Sequence, residues 1–226
     1  MGKQLLVSIA SFLGSLAVWT FMLGGNLMPA LVLMVVLLIH EMGHYLAARF
    51  IGARAELPVF IVIGAFVKFE NTGRTLRDSF IVSAAGPVLG SAAALLMYFF
   101  GGHSAVLMSA AALGLALNLF QLIPVPPFDG GHMTLAIDRR LWKVGAIFVL
   151  AFAAASLFHG NFMPAMLVWM MWDGTKNYMQ ATEMQAAANP ERFAVPAGEK
   201  LIYSLVYFGL TFGLIFACWA FGVRVL

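Results

Sequence analysis

The sequence predicts an all-α polytopic membrane protein, with about six to seven transmembrane helices and a small membrane-associated β-hairpin between the second and third. Composition points there first: of 226 residues, 62% are hydrophobic and 10% charged, against about 45–50% and about 25% in soluble domains. Several apolar runs of about twenty residues are each long enough to cross a hydrocarbon core of roughly 30 Å. The third observation is the placement of the basic residues, which gather at one end of successive runs.

The spans fall near 5–23, 27–50, 79–100, 104–124, 144–158, 162–179 and 201–222. The first follows Lys3 as a signal peptide would, but it is longer than a usual h-region, and Gly24-Gly25-Asn26 is a poor cleavage site. It is expected to stay as a spanning helix. The fifth and sixth runs are short and joined by His159-Gly160-Asn161. With this assignment every Lys and Arg except Arg224 falls on one side, from Lys3 through Lys200. Basic residues near span ends stay cytoplasmic, which puts the N-terminus inside and the C-terminus outside. The expected location is the bacterial inner membrane, and charge placed this way gives no reason to expect nucleic acid as a partner. The one cysteine, Cys218, excludes an internal disulfide and reads as a packing residue.

Two connections are longer than turns. Between the second and third spans, Leu57 to Phe69 is a β-branched and aromatic run broken by Gly64 and followed by the turn-like Asn71-Thr72-Gly73. It reads as strands, and strands at membrane depth are tolerated only where protein covers them or a cavity lies beside them. They are therefore expected against the functional site. From Gly174 to Lys200 the chain is polar and contains Asn189-Pro190, which reads as a cytoplasmic loop with room for a short surface helix.

The chemistry lies in the second span, where His40-Glu41-Met42-Gly43-His44 is an HExxH pattern. On a helix, residues i and i+4 lie one above the other, so both imidazoles can reach one Zn²⁺, and Glu41 is placed as general base. A bound zinc lowers the pKa of its water from about 15.7 to about 7. Three ionisable groups in an otherwise apolar helix are expensive in a bilayer, at about +2.5 to +3.5 kcal/mol for a central charge, unless a cation compensates them.

A catalytic zinc takes three protein ligands. Of the nine other acidic residues, Asp129 stands out because Pro124-Val125-Pro126-Pro127-Phe128-Asp129-Gly130-Gly131 ends the fourth span. The prolines stop the helix, and the paired glycines are expected to let the backbone turn tightly around the carboxylate. Both His40 and His44 and Asp129 lie toward the cytoplasmic end of their spans. At 1.5 Å rise per residue they share a depth.

His40-Glu41-Met42-Gly43-His44 together with Pro126 to His132 resembles the site-2 protease family of intramembrane zinc metalloproteases. The resemblance covers the second through fourth spans. It implies His40, His44 and Asp129 as zinc ligands, Glu41 as base, and a single-span membrane protein as substrate. It also implies that the hairpin, at Gly64 and Phe66, holds that substrate extended. An exposed strand edge near Phe66 could take it up by β-augmentation. Ala84-Ala85-Gly86-Pro87 is similar to a further family signature. Where the family carries Asn eight residues before the ligating Asp, this chain has Gln121, with Asn118 one turn earlier; either carboxamide could stand beside the scissile carbonyl. The hairpin has Gly64-Ala65 in place of Gly-Gly, and the position four beyond Gly86 is Gly90 followed by Ser91 in place of Asn.

The expected protein is thus a single intramembrane metalloprotease domain over 1–226, a minimal core without PDZ or CBS domain, working in the lipid bilayer. His132, His103 and His159 stay outside the expected site. Rivals are a membrane zincin with a later Glu ligand, against which stands the lack of any Glu from Phe80 through Tyr178, and a metal transporter or catalytically silent binding member of the same fold. A transporter would string ionisable groups along a path, whereas here they concentrate at one depth.

Overall fold

The computed structural model describes residues 2–61, 64–68 and 75–222. Eight α-helices and two short strands follow one another among them: α1 (Gly2–Met22), α2 (Leu27–Phe50), β1 (Val59–Ile61), β2 (Gly64–Phe66), α3 (Leu76–Phe100), α4 (Ala105–Gln121), α5 (Asp129–Leu135), α6 (Leu141–Phe158), α7 (Met163–Ala188) and α8 (Ala197–Ala220). Five of these, α1, α2, α3, α6 and α8, are long and apolar enough to cross a membrane, and α4 is a shorter apolar helix. The chain is an integral, mainly helical membrane protein with one two-stranded antiparallel sheet.

Helix ends follow from local chemistry. Asn26 caps α2 by accepting from Met28 N at 3.2 Å, and Gly52, at φ +77°, takes the left-handed turn beyond its last residues. Gly160, at φ +75°, makes the corresponding turn between α6 and α7. The polar connection after Gly174 departs from expectation: α7 continues to Ala188 and only a 3₁₀ turn at Pro190–Phe193 follows. Its last stretch is rich in Gln, Ala, Glu and Met, which favour helix whatever the solvent, and Pro190 stops it. The stretch is polar and helical at once.

The described residues form two compact units, one drawn from 1–73, 81–120 and 210–226, the other from 74–80 and 121–209. In the first, Met34 and Leu37 of α2 and Phe60 of β1 form a buried cluster, with Phe12, Leu16 and Trp19 of α1 packed against it. Phe12 and Phe60 meet edge to face, centroids 5.1 Å apart. The strands pair as Val59 with Phe66, Phe60 with Ala65 and Ile61 with Gly64. Strand β1 is tied to α1 as well: Ser8 Oγ donates to Pro58 O at 2.7 Å, and Phe60 N donates to Ser11 Oγ at 3.1 Å. The expected strands are therefore present as a hairpin; Val62, Ile63, Phe69 and the turn at Asn71-Thr72-Gly73 lie outside the described residues.

Between helices in lipid there is little hydrophobic drive, so close approach at small residues decides the packing. At Gly43 of α2 an added Cβ would collide with the carbonyl of Ala85 and lie 2.9 Å from Gly86 Cα, so the two backbones touch there. At Gly114 of α4 an added Cβ would lie 2.9 Å from Ala94 Cβ of α3, a looser approach.

In the second unit, side-chain hydrogen bonds to backbone carbonyls tie together the chain around α5. Trp142, fully buried, donates from Nε1 to Gly131 O at 2.8 Å, Thr134 Oγ1 donates to Gly130 O at 2.7 Å, and Tyr207 donates to Leu122 O at 2.8 Å. Phe80 stacks on Tyr203 with centroids 4.4 Å apart.

Gly43→Val should separate α2 from α3 and cost about 1–3 kcal/mol by overpacking. The readout is a lowered thermal midpoint of the detergent-solubilised protein, with Gly209→Ala, whose Cβ would meet nothing within 4 Å, unchanged. Equal midpoints for both variants would contradict the close approach.

Candidate metal centre

In the first unit, His40 and His44 are both buried on α2, with their Nε2 atoms 3.1 Å apart and their rings edge to face. The opposite nitrogen of each ring faces an oxygen. His44 Nδ1 lies 2.8 Å from Val82 O of α3, and His40 Nδ1 lies 2.8 Å from Asn118 Oδ1 of α4. A backbone carbonyl only accepts, so His44 carries its proton on Nδ1. For His40 the same follows from the carboxamide: Asn118 Nδ2 donates to Gly114 O at 2.6 Å, which turns Oδ1 toward the imidazole. Both neutral rings therefore present their Nε2 lone pairs, and these converge.

Two lone pairs at that separation repel unless positive charge lies between them. Nitrogens bound to one tetrahedral zinc at about 2.0–2.1 Å stand roughly 3.3 Å apart, so the pair has the spacing of a metal seat. The surroundings are cut to it. A Cβ at Gly86 would collide with Nε2 and Cε1 of His44 and lie 3.0 Å from Cε1 of His40, while one at Gly90 would collide with the Asn118 carboxamide. Glycines four residues apart on α3 thus leave the imidazoles and their orienting amide the space they occupy. Pro87, inside α3, gives no N–H to the Ser83 carbonyl, beside the Val82 carbonyl that serves His44. Glu41, next to His40, is also buried.

Asn118 is 0% exposed and its carboxamide is committed to His40 and Gly114. Gln121, at the C-terminus of α4, is half-buried. Gly64 and Phe66 pair with Ile61 and Val59 in the hairpin, and the Phe66 side chain is exposed.

In the second unit, Asp129 is the first residue of α5, half-buried, with Phe128 in an extended conformation ahead of it. The glycines after it have a different role from the one expected. Neither Gly130 nor Gly131 has a positive φ, and both lie inside α5. What they allow is contact: a Cβ at Gly130 would collide with Leu122 O, and one at Gly131 with Val125 and Pro126 backbone atoms. Gly145 of α6 lies as close to Pro124. The proline loop is gripped by α5 and α6, and that grip fixes where Asp129 begins its helix. His132, three residues on, meets the Tyr178 hydroxyl at 3.2 Å, and His103 and His159 are exposed.

Sequence reasoning missed Val82, whose contribution is a backbone oxygen and carries no residue-type signal. The packing roles of Gly90 and Gly43 are not in the sequence reading either; small-residue spacing along α3 and α2 was the available sign.

Apolar helices long enough to span a membrane, one of them carrying a buried HExxH pair at metal-binding spacing, fit a membrane metalloprotein. Residues 28–106 match the model of Peptidase family M50. The match takes in His40, Glu41, His44 and Gly86; Asp129 lies beyond it. The chain is 27% identical over 207 residues to "Putative zinc metalloprotease sll0528" of Synechocystis sp., covering 76% of this chain and 55% of that protein. It is 31% identical over 117 residues to stage IV sporulation protein FB of Bacillus subtilis, covering 50% of this chain and 41% of that protein. The chain thus spans about half the length of these relatives. The solved site-2 protease from Methanocaldococcus jannaschii shares the fold, with a TM-score of 0.54 at 20% identity, over 76% of this chain and 87% of that one.

Asn118→Leu should remove the acceptor that fixes the His40 tautomer and lower the affinity for Zn²⁺ by about 10–100-fold. Gln121→Ala should leave it unchanged. Titration of the metal-stripped protein measures both, and unaltered affinity in Asn118→Leu would contradict the orienting role.

Proposed function

We propose that residues 1–226 act as one catalytic domain, a zinc endopeptidase that hydrolyses peptide bonds in or near transmembrane segments of other membrane proteins. The observation that carries this reading is the convergence of two buried, tautomer-fixed Nε2 atoms on a helix that also bears Glu41. The donor set suits zinc, with His40 and His44 as nitrogen ligands and Asp129 as the oxygen ligand. When bound, zinc supplies a Lewis acid for the scissile carbonyl and makes hydroxide accessible near neutral pH.

The remaining steps belong to the chain. The Glu41 carboxylate accepts the proton released as water attacks the carbonyl carbon, then returns it to the leaving amine, so that one group serves as base and acid in turn. Burial of Glu41 excludes bulk water from that exchange. A helical substrate presents no accessible carbonyl, because its amides are locked in i to i−4 bonds, and it must first be drawn out into an extended strand.

The hairpin favours one edge for that purpose. The backbone N–H of Phe60 is directed at Ser11, away from β2. In this register its partner Ala65 therefore directs its own N–H and C=O to the outer side of β2. The side chains of Ser8 and Ser11 cover the outer side of β1, which leaves the Gly64–Phe66 strand to add a substrate strand. Gln121 is the carboxamide for the substrate backbone, since Asn118 is committed to His40. The N-terminus is assigned to the cytoplasm of a bacterial inner membrane by the charge bias.

Glu41→Gln should keep zinc and lose about 10²–10⁴-fold in cleavage of a co-expressed single-span protein. Zinc content and product accumulation are measured on the same membranes. Cleavage retained at the wild-type rate would remove Glu41 from the chemistry, and a wild-type chain that binds zinc but never cuts would make this a silent member of the fold.

A further inference from the structure

Away from the imidazole pair, basic side chains gather in one place among the described residues. A groove of about 710 Å³ in the second unit is lined by Arg139, Arg140, Lys143 and Lys200, facing Asp138 and Glu183. All four cations are exposed. None forms an ion pair with an acidic residue among the described residues. Asp138 is already engaged, accepting from the backbone N of Arg140 at 2.8 Å through Oδ1.

The groove's place in the chain says what depth it occupies. Arg139 and Arg140 immediately precede α6, and Lys143 lies in its first turn. Lys200 lies in the first turn of α8. Both helices are long and apolar enough to span a bilayer, so the cations stand where two spans leave the hydrocarbon, at the level of lipid headgroups. Ile137 and Phe193 add apolar wall to the same groove. A solvated flank of basic residues would be spread around the helix ends. Here they line one concavity, with a size in the range of ligand sites.

We propose that this groove binds the phosphate headgroup of an anionic phospholipid, with Arg139 and Arg140 as its phosphate contacts and Lys143 and Lys200 completing the positive charge. Guanidinium forks suit bidentate contact with phosphate oxygens, and lysines act as point charges beside them. Basic pockets between spans at the membrane surface recognise such headgroups. A free phosphate has the same oxygens but no apolar body to rest on Ile137 and Phe193, and it is not concentrated at this depth. The site is separate from the proposed catalytic residues, so its failure would leave that reading untouched.

The test uses the full chain in non-ionic detergent, with binding read by native mass spectrometry. The probes are short-chain phosphatidylglycerol, phosphatidylcholine of the same chain length, and inorganic pyrophosphate. Phosphatidylglycerol is expected to bind about tenfold or more tightly than phosphatidylcholine, and Arg139→Ala/Arg140→Ala should lower its affinity about tenfold. Lys143→Glu, which leaves both arginines in place, should weaken it in the same direction. Arg49→Ala/Arg54→Ala, which removes exposed cations outside the groove, should leave it within about twofold. Equal binding of the two lipids, or equal loss in both double variants, would overturn the site. Displacement of phosphatidylglycerol by pyrophosphate would assign the groove to soluble phosphate and overturn the lipid.

Discussion

The arrangement depends on two hydrogen bonds that point away from the imidazole pair. Val82 O and Asn118 Oδ1 each hold one Nδ1 of His44 and His40. An imidazole in a bilayer can satisfy itself in several tautomers and rotamers. Only with both Nδ1 protons committed do the Nε2 lone pairs meet at a spacing a metal ion fits. The HExxH pattern supplies the side chains; α3 and α4 supply their orientation. Gly43, Gly86 and Gly90 serve the same end by bringing α3 close enough for its carbonyl to reach His44 and by making room for Asn118.

That dependence explains why a membrane protein can keep these groups buried. An isolated Glu and two His in hydrocarbon would carry a desolvation cost with nothing to offset it. Here each imidazole is given a neutral hydrogen-bond partner at Nδ1, and the two Nε2 atoms are left facing each other at a spacing that suits a cation. The same economy appears in the hairpin. The outer side of β1 is served by Ser8 and Ser11 of α1, a helix otherwise largely exposed. The helix that contributes least to the buried core is the one that closes a strand edge.

Much of this was legible in the residues, and the rest was lost for definable reasons. Apolar runs gave the helices because span length is fixed by bilayer thickness, and β-branched and aromatic residues around Gly64 gave the hairpin. The i, i+4 spacing of His40 and His44 gave their shared face. The polar stretch after Gly174 misled, since polarity reports solvent and helix propensity reports backbone, and in α7 the two diverge. Gly130-Gly131 was read as a turn because glycine pairs usually supply positive φ; the requirement was instead the absence of a side chain against the Leu122 and Val125 backbone. From sequence, Asn118 stands only as a carboxamide for substrate. Its use as the His40 acceptor depends on how α2 and α4 pack, which no local pattern encodes.

The central proposal is that the His40 and His44 imidazoles and the Asp129 carboxylate would hold one zinc. X-ray absorption at the zinc edge, on the purified chain and on Asp129→Ala, tests it most directly. The account predicts one zinc per chain, a first shell of light atoms at about 2.0–2.2 Å with the outer scattering of two imidazoles, and a changed shell of lower occupancy in Asp129→Ala. Substoichiometric zinc in the parent protein, or a shell indifferent to the loss of Asp129, would contradict it.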